Sequence, residues 1–217
     1  MYTPDAALRL SREGEVSVDT FGVKKDVRVI TGVSEVTRLS DAGPARGRWA
    51  AMPYRYFYDC EFIEDGRLID LVSIGVVDEK GREFYAVSTE FDGSRAIPWV
   101  RRNVLDKLPS PANPAWRSRQ RIRDELYTFL VAPLRAGEAE EIELWAWYAA
   151  YDHVALAQLW GSMTALPREI PRFTKDLRQL WDDHGRPRLP TMADRHDALV
   201  DAKHNLARWR AMEGGSP

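Results

Sequence analysis

Tyr56-Phe57-Tyr58-Asp59-Cys60-Glu61-Phe62 sets two acids into an otherwise aromatic run of a 217-residue chain. Side chains alternate across a β-strand, so Asp59 and Glu61 project from one face and Cys60 from the other. Two carboxylates within about 7 Å on a half-buried strand repel each other and are costly to desolvate. A divalent cation removes both costs, and oxygen ligands of this kind suit Mg²⁺ or Mn²⁺. An edge strand with one face in water would carry the same pattern, so the pair by itself leaves the chemistry open.

Around this strand the pattern stays readable. Residues 55–63, 68–77 and 83–91 are rich in aromatic and β-branched side chains, with Asp65-Gly66 and Glu79-Lys80-Gly81 between them, which predicts a three-stranded antiparallel meander. Pro109-Ser110-Pro111-Ala112-Asn113-Pro114 breaks the chain, and residues 117–131 then place Ile122, Leu126, Phe129 and Leu130 at helical spacing. Residues 141–147 read as a strand and 152–160 as a helix. A further helix is expected over 174–184, capped by Thr174 and stopped by Gly185 and Pro187. The last spans 196–212, with Leu199, Leu206 and Trp209 inward. Antiparallel strands followed by alternating helix and strand predict one mixed α/β sheet domain over residues 54–217.

Upstream the composition changes. Of 23 aromatic residues (8 Trp, 8 Tyr, 7 Phe) only Tyr2, Phe21 and Trp49 precede Tyr54, so a core is expected downstream. Residues 1–53 end in the linker-like Ser40-Asp41-Ala42-Gly43-Pro44-Ala45-Arg46-Gly47 and carry two weak strand patterns, at 15–21 and 27–33. The expectation is a poorly ordered leader, or an over-extended start with translation beginning at Met52.

Composition excludes several classes. Lys+Arg 31 against Asp+Glu 33 gives a net charge of -2, so no single-sign field draws in a polyanion or a membrane surface. No apolar run approaches the roughly 20 residues of a membrane span, and no secretory signal is evident. The single cysteine, Cys60, cannot form an intramolecular disulfide or a zinc set. A cytoplasmic protein is expected.

Two later acids bear on the first pair. Asp152 stands in Ala149-Ala150-Tyr151-Asp152-His153-Val154, at a helix start, where the dipole alone would favour it. Asp201 lies between Val200 and Ala202, five residues after His196, and taken alone reads as a solvated helix residue. Together, D-x-E on a first strand, Y-D at a later helix start and H-x-x-x-x-D on a late helix resemble the ribonuclease T-like, DEDDh class of 3′–5′ exonucleases. The chain is most similar to a small actinobacterial, mycobacterial-type exoribonuclease group. R-Y-F-Y-D-x-E-F-I-E-D-G, L-V-S-I-G-V-V and W-A-W-x-x-x-Y-D-H-V-A-L stand here at residues 55–66, 71–77 and 145–156.

The resemblance implies a ribonuclease H-like fold, a mixed five-stranded sheet flanked by helices. It implies that Asp59, Glu61, Asp152 and Asp201 hold two Mg²⁺ or Mn²⁺ ions, about 4 Å apart, that activate a water and neutralise the leaving 3′-oxygen. His196 is the implied general base, and Glu61 counts as catalytic as well as metal-binding. The implied substrate is RNA with a free 3′ end or overhang, cut to nucleoside monophosphates, with homodimerisation compatible with the group. Exonuclease action on DNA or short oligonucleotides is the alternative. A non-catalytic RNA-binding module with a decayed site is another, although all five positions are filled. Many relatives carry Asn four residues before the second-motif Asp; here that place is Tyr148.

Cys60, Phe62 and Trp147 are the candidate substrate contacts. Stacking on Phe62 or Trp147 would tolerate every base, though strand parity also suits both to the core, and Cys60 reads equally as a small buried residue. Arg117, Arg119, Arg121 and Arg123 could bind phosphate, but read better as a solvated face paired with Asp124 and Glu125.

Overall fold

The computed structural model describes residues 52–192 and 196–214, with three short strands ahead of them. Strands β1 (Arg9–Leu10), β2 (Val16–Thr20) and β3 (Val23–Val27) pair antiparallel in a first unit, Met1–Gly47. The expected strand at 15–21 corresponds to β2. Residues 28–51, which hold the linker and most of the second expected strand, lie outside the described residues.

In the second unit, Arg48–Pro217, β4 (Tyr54–Glu64), β5 (Ile69–Asp78) and β6 (Glu83–Ser88) form the expected meander. Gly66 and Gly81, at φ 79 and 91, make its turns. β8 (Ile142–Ala146) runs parallel to β4 on the other side, after the crossover through α2 (Arg119–Arg135). The sheet order is β7-β6-β5-β4-β8-β9, with β7 (Trp116–Arg117) and β9 (Lys175–Asp176) at the edges. It is the expected mixed α/β sheet, with six strands rather than five. Each edge strand is two residues long, too short to show a period of two in the sequence.

Both edges correct the expected helix bounds. Arg117 belongs to β7, and the Ser118 hydroxyl caps α2 by accepting from the Arg121 N–H at 3.3 Å. Lys175 and Asp176 are strand, and α4 (Leu177–Asp183) is capped by Asp176 instead of Thr174. The Thr174 hydroxyl is engaged elsewhere, 2.6 Å from the Tyr58 hydroxyl and 3.0 Å from His153 Nδ1. Pro133, inside α2, cannot donate to the Phe129 carbonyl; the Tyr56 hydroxyl donates there instead, at 3.0 Å.

The alternation of β4 divides the core. Tyr54, Tyr56, Tyr58 and Cys60 pack toward α2 and α3 (Ala149–Ala157), against Ile122, Leu126, Leu130 and Leu156. Phe57 packs on the opposite face with Val77 and Trp145 against Ala202, Leu206 and Met212 of α5 (Ala198–Glu213). Asp59 and Glu61 therefore point to the α5 side. Directly opposite Asp59 in the ladder is Gly75. A Cβ there would run into the Ala198 carbonyl and the Leu199 amide, so its absence lets the α5 N-terminus settle on the sheet. Between β6 and β7, α1 (Pro98–Asn103) closes the end of the sheet near Glu61. No described helix is long and apolar enough to cross a membrane.

Candidate active site

The C-terminal half of β4 and the first turns of α3 and α5 converge on a cleft of about 590 Å³. Asp59, Glu61, Asp152, Asp201 and His196 all line it. Two acids come from one strand face, and each of the others is the fourth residue of its helix. Asp152 is 5 % exposed, and its Oδ1 accepts the Cys60 N–H at 2.8 Å. That bond reaches across β4 and fixes the helical acid beside the strand pair.

The expected helix over 196–212 begins two residues later, at Ala198. Asp197 caps it by accepting from the Leu199 and Val200 amides, both at 3.0 Å. His196 stays outside in left-handed backbone, φ 67, and its N–H donates to Asp201 Oδ2 at 2.7 Å. Helical geometry alone would have turned its ring away from Asp201. The left-handed turn instead places Nδ1 4.0 Å from Glu61 Oε1, with the Trp99 ring edge-on at 4.7 Å between centroids.

Burial first, and the charges of neighbouring acids second, favour the protonated forms of all four acids. Burial, then the charges of Asp152, Glu61 and Asp201, lift Asp59 well above the usual carboxylate range. Burial followed by Asp201, Asp152 and Asp197 pushes Glu61 up to about 8. Burial likewise pushes Asp152 up to about 7, against the Cys60 N–H, which favours its charged form. Asp201 is raised by burial and held back by the His196 N–H. Arg208 and Lys107 oppose the shifts at Asp59 and Glu61 without cancelling them.

Such a cluster fits a hard divalent cation, which would compensate these charges with oxygen ligands. Ligand atoms of Glu61, His196 and Asp201 already lie within 4.8 Å of one another.

The candidate substrate contacts separate. Cys60 is buried beside apolar side chains yet borders the cleft, its N–H donating to Asp152 Oδ1 and its Sγ donating to the Asp152 carbonyl at 3.9 Å. Phe62 packs on the α3 side, as parity requires, yet lines the cleft and stacks on Tyr151 at 5.8 Å and 14°. The ladder slips there: Glu61 pairs with Ser73 and Phe62 with Leu71, leaving Val72 as a bulge. Trp147 follows β8 into the cleft, where its ring lies 4.1 Å from the Arg208 guanidinium carbon. Of the basic cluster, Arg117 and Arg121 pair with Glu125 and Arg123 with Asp124 as expected, whereas Arg119 pairs with Asp70 on β5.

Sequence reasoning missed several cleft residues. Ile97 and Trp99 open α1 with large exposed apolar side chains, in a segment without periodicity that could place them. Tyr151 belongs to the Y-D pattern, in which only the acid carries a chemical signal, yet it lines the cleft beside Phe62. Asn205 and Arg208 follow Asp201 at helical spacing, a signal that could have found them.

The profile of the 3′-5′ exoribonuclease Rv2179c-like domain matches residues 54–212. A Mycobacterium tuberculosis (strain H37Rv) protein named 3′-5′ exoribonuclease Rv2179c is 64% identical over 157 residues, 72% of this chain and 91% of the relative. The counterpart from strain CDC 1551, named 3′-5′ exoribonuclease MT2234.1, matches with the same 64% identity and coverage.

Proposed function

Because the chain belongs to the family of Rv2179c-like 3′-5′ exoribonuclease domains, we propose that this cleft removes nucleotides from RNA 3′ ends by metal-dependent hydrolysis. The observation that carries the reading is the meeting of four acids from three separate elements with one histidine in a single cleft. Asp59, Glu61, Asp152 and Asp201 would hold a pair of Mg²⁺ or Mn²⁺ ions. Bound there, the ions would lower the pKa of a water and neutralise charge on the scissile phosphate and the leaving 3′-oxygen.

The protein's own groups divide the remaining work. The His196 imidazole takes the proton from the attacking water. Glu61 Oε1, 4.0 Å from Nδ1, stabilises the imidazolium that forms. The His196 N–H to Asp201 bond fixes the loop that carries the ring. Trp99 and Ile97 on one side, with Phe62 and Tyr151 on another, offer apolar surface to the terminal base without reading its edge, as an enzyme that must accept every base requires.

Matched 5′-labelled RNA and DNA, incubated with Mg²⁺, Mn²⁺ or EDTA, test this. The expected result is a one-nucleotide ladder on RNA that needs the metal and disappears in Asp59→Ala. A ladder that persists in EDTA or in that variant sinks the mechanism, whereas equal degradation of DNA removes only the preference for RNA.

A further inference from the structure

α5 presents more than Asp201 to the cleft. Asn205 and Arg208 follow it along the same helix face, and both line the cleft. Asn205 is buried, and its Nδ2 donates to the Tyr58 carbonyl at 3.0 Å, tying the helix to β4 immediately before Asp59. Its Oδ1 then accepts from Arg208 Nη1 at 3.1 Å. The Arg208 guanidinium carbon lies 4.1 Å from the centre of the Trp147 ring. A guanidinium on an indole is steadied from one side without losing its fork of N–H donors, and that fork matches the paired oxygens of a phosphate.

Among the described residues that line the cleft, Arg208 is the only side chain with a permanent positive charge. It lies near enough to Asp59 and Asp201 for its charge to favour their ionised forms. A cation kept beside metal-binding acids weakens their hold on metal, so neutralisation alone is a poor reason for it. A phosphate arriving at those acids is the group that its charge and planar N–H geometry suit.

Resting on the reading of the cleft as an exoribonuclease site, we propose that Arg208 is its phosphate-binding residue, receiving the scissile phosphate and then holding it as the 5′-phosphate of the released mononucleotide. Both are the same group before and after one step. The water oxygen bonds to phosphorus, the bond from phosphorus to the preceding 3′-oxygen breaks, and that oxygen takes a proton to become the new RNA end. Trp147 and Asn205 act through Arg208 as positioning residues.

The test uses the full chain with Mn²⁺ and measures binding of adenosine 5′-monophosphate and of adenosine by calorimetry. Losing one charge-assisted phosphate contact in Arg208→Gln weakens the monophosphate about 10-fold or more and leaves adenosine nearly unchanged. Arg208→Lys recovers part of the loss, as a point charge without the fork. An equal loss for both ligands overturns the proposal, because Arg208 is then only a wall of the base site. Unchanged monophosphate binding with tighter Mn²⁺ binding also overturns it, because Arg208 then only neutralises the acids.

If Arg208→Gln does not fold, Trp147→Leu replaces it. The preference for the monophosphate over adenosine must shrink there too, and an unchanged preference rejects the idea. The underlying reading fails separately. Unaltered protein that binds the monophosphate but releases nothing from labelled RNA refutes the proposed reaction alone. Unaltered protein that degrades RNA while Arg208→Gln keeps its full phosphate preference refutes the assignment of Arg208 alone.

Discussion

Asp152 and Asp201 reach the cleft from corresponding places, each the fourth residue of its helix, but the two helix starts are secured by opposite means. α5 is capped from within: Asp197 accepts the Leu199 and Val200 amides, and Asp201 itself takes the His196 N–H. α3 has no side-chain cap of its own. Its N-cap position is held by Tyr148, in left-handed backbone at φ 59 and ψ 48, and the amides of Tyr148 and Ala149 donate to Asp176 at 3.3 and 3.1 Å. Asp176 also caps its own helix, through the Arg178 N–H at 2.7 Å. A start capped locally is written in adjacent residues. A start capped from a distant strand makes the position of one acid depend on a residue outside the cleft.

The comparison predicts its largest effects where the two starts should behave alike. Asp152→Asn and Asp201→Asn each keep an oxygen that accepts the N–H now bonded, so local geometry survives while the charge goes. Each variant is expected to lose at least about 10³-fold in kcat on 5′-labelled RNA with Mn²⁺, the several kcal/mol a metal contributes. If one variant keeps near-normal turnover, the corresponding acid is not a metal ligand and the symmetry between the helices fails.

The same acids set the metal-free pH response. Glu61, pushed up to about 8, and Asp152, pushed up to about 7, stay protonated in the folded protein where the unfolded chain has lost those protons. Because the folded state binds the extra protons, stability falls as pH rises from the ordinary carboxylate value of about 4 toward 8. Melting in EDTA should show Tm dropping across that window, and Mn²⁺ should remove the drop. A Tm that rises from pH 5 to 8 in EDTA contradicts the burial and mutual repulsion described for the cleft acids.

Asp176→Ala separates the two helix starts. With the Tyr148 and Ala149 amides left without their acceptor, the first turn of α3 shifts, and a misplacement near 1 Å costs about 100-fold in kcat. Asp176→Asn should retain part of the activity, since one amide oxygen still accepts. The effect has to appear in kcat at saturating metal as well as in Tm. A loss of Tm alone would reduce Asp176 to a structural cap. The matching α5 change, Asp197→Ala, is expected to cost about 1 kcal/mol of stability and little in kcat, because Gly75 still lets the helix rest on the sheet.

This contrast also explains what the sequence disclosed. β4 was legible because aromatic residues run along both of its faces and the acids interrupt only one, the face of Phe57, with the consequence that Asp59 and Glu61 face α5. Asp201, which taken alone reads as a solvated helix residue, was singled out by the resemblance, through its place five residues after His196. The left-handed turn at His196 was not legible, because Asp197 lies within the range that helical periodicity covers. Thr174 looked like a cap by residue type, but its hydroxyl is committed to Tyr58, and the cap fell to Asp176 two residues on. The service of Asp176 to α3 had no local signal, since its partners lie 27 and 28 residues away. Trp99 was hidden for a different reason: its place over His196 follows from how α1 closes the sheet end, not from any repeat in its own segment.

The smallest expected effect bears on the αL residue itself. Tyr148 is 63% exposed and sits at φ 59, a conformation that costs a side chain such as Tyr about 1 kcal/mol and that Asn adopts readily. Asn is also the residue many relatives of the resembling class carry at this place. Tyr148→Asn should therefore raise stability by up to about 1 kcal/mol, less the loss of the edge contact with Trp147 at 5.9 Å, and should leave kcat close to normal. Combined with Asp176→Ala, it should return part of the lost kcat, because a backbone that prefers αL needs less help from a remote acceptor to keep α3 in register. A double variant no more active than Asp176→Ala would mean that Asp176 places Asp152 by another route, such as the hydrogen bond that caps α4.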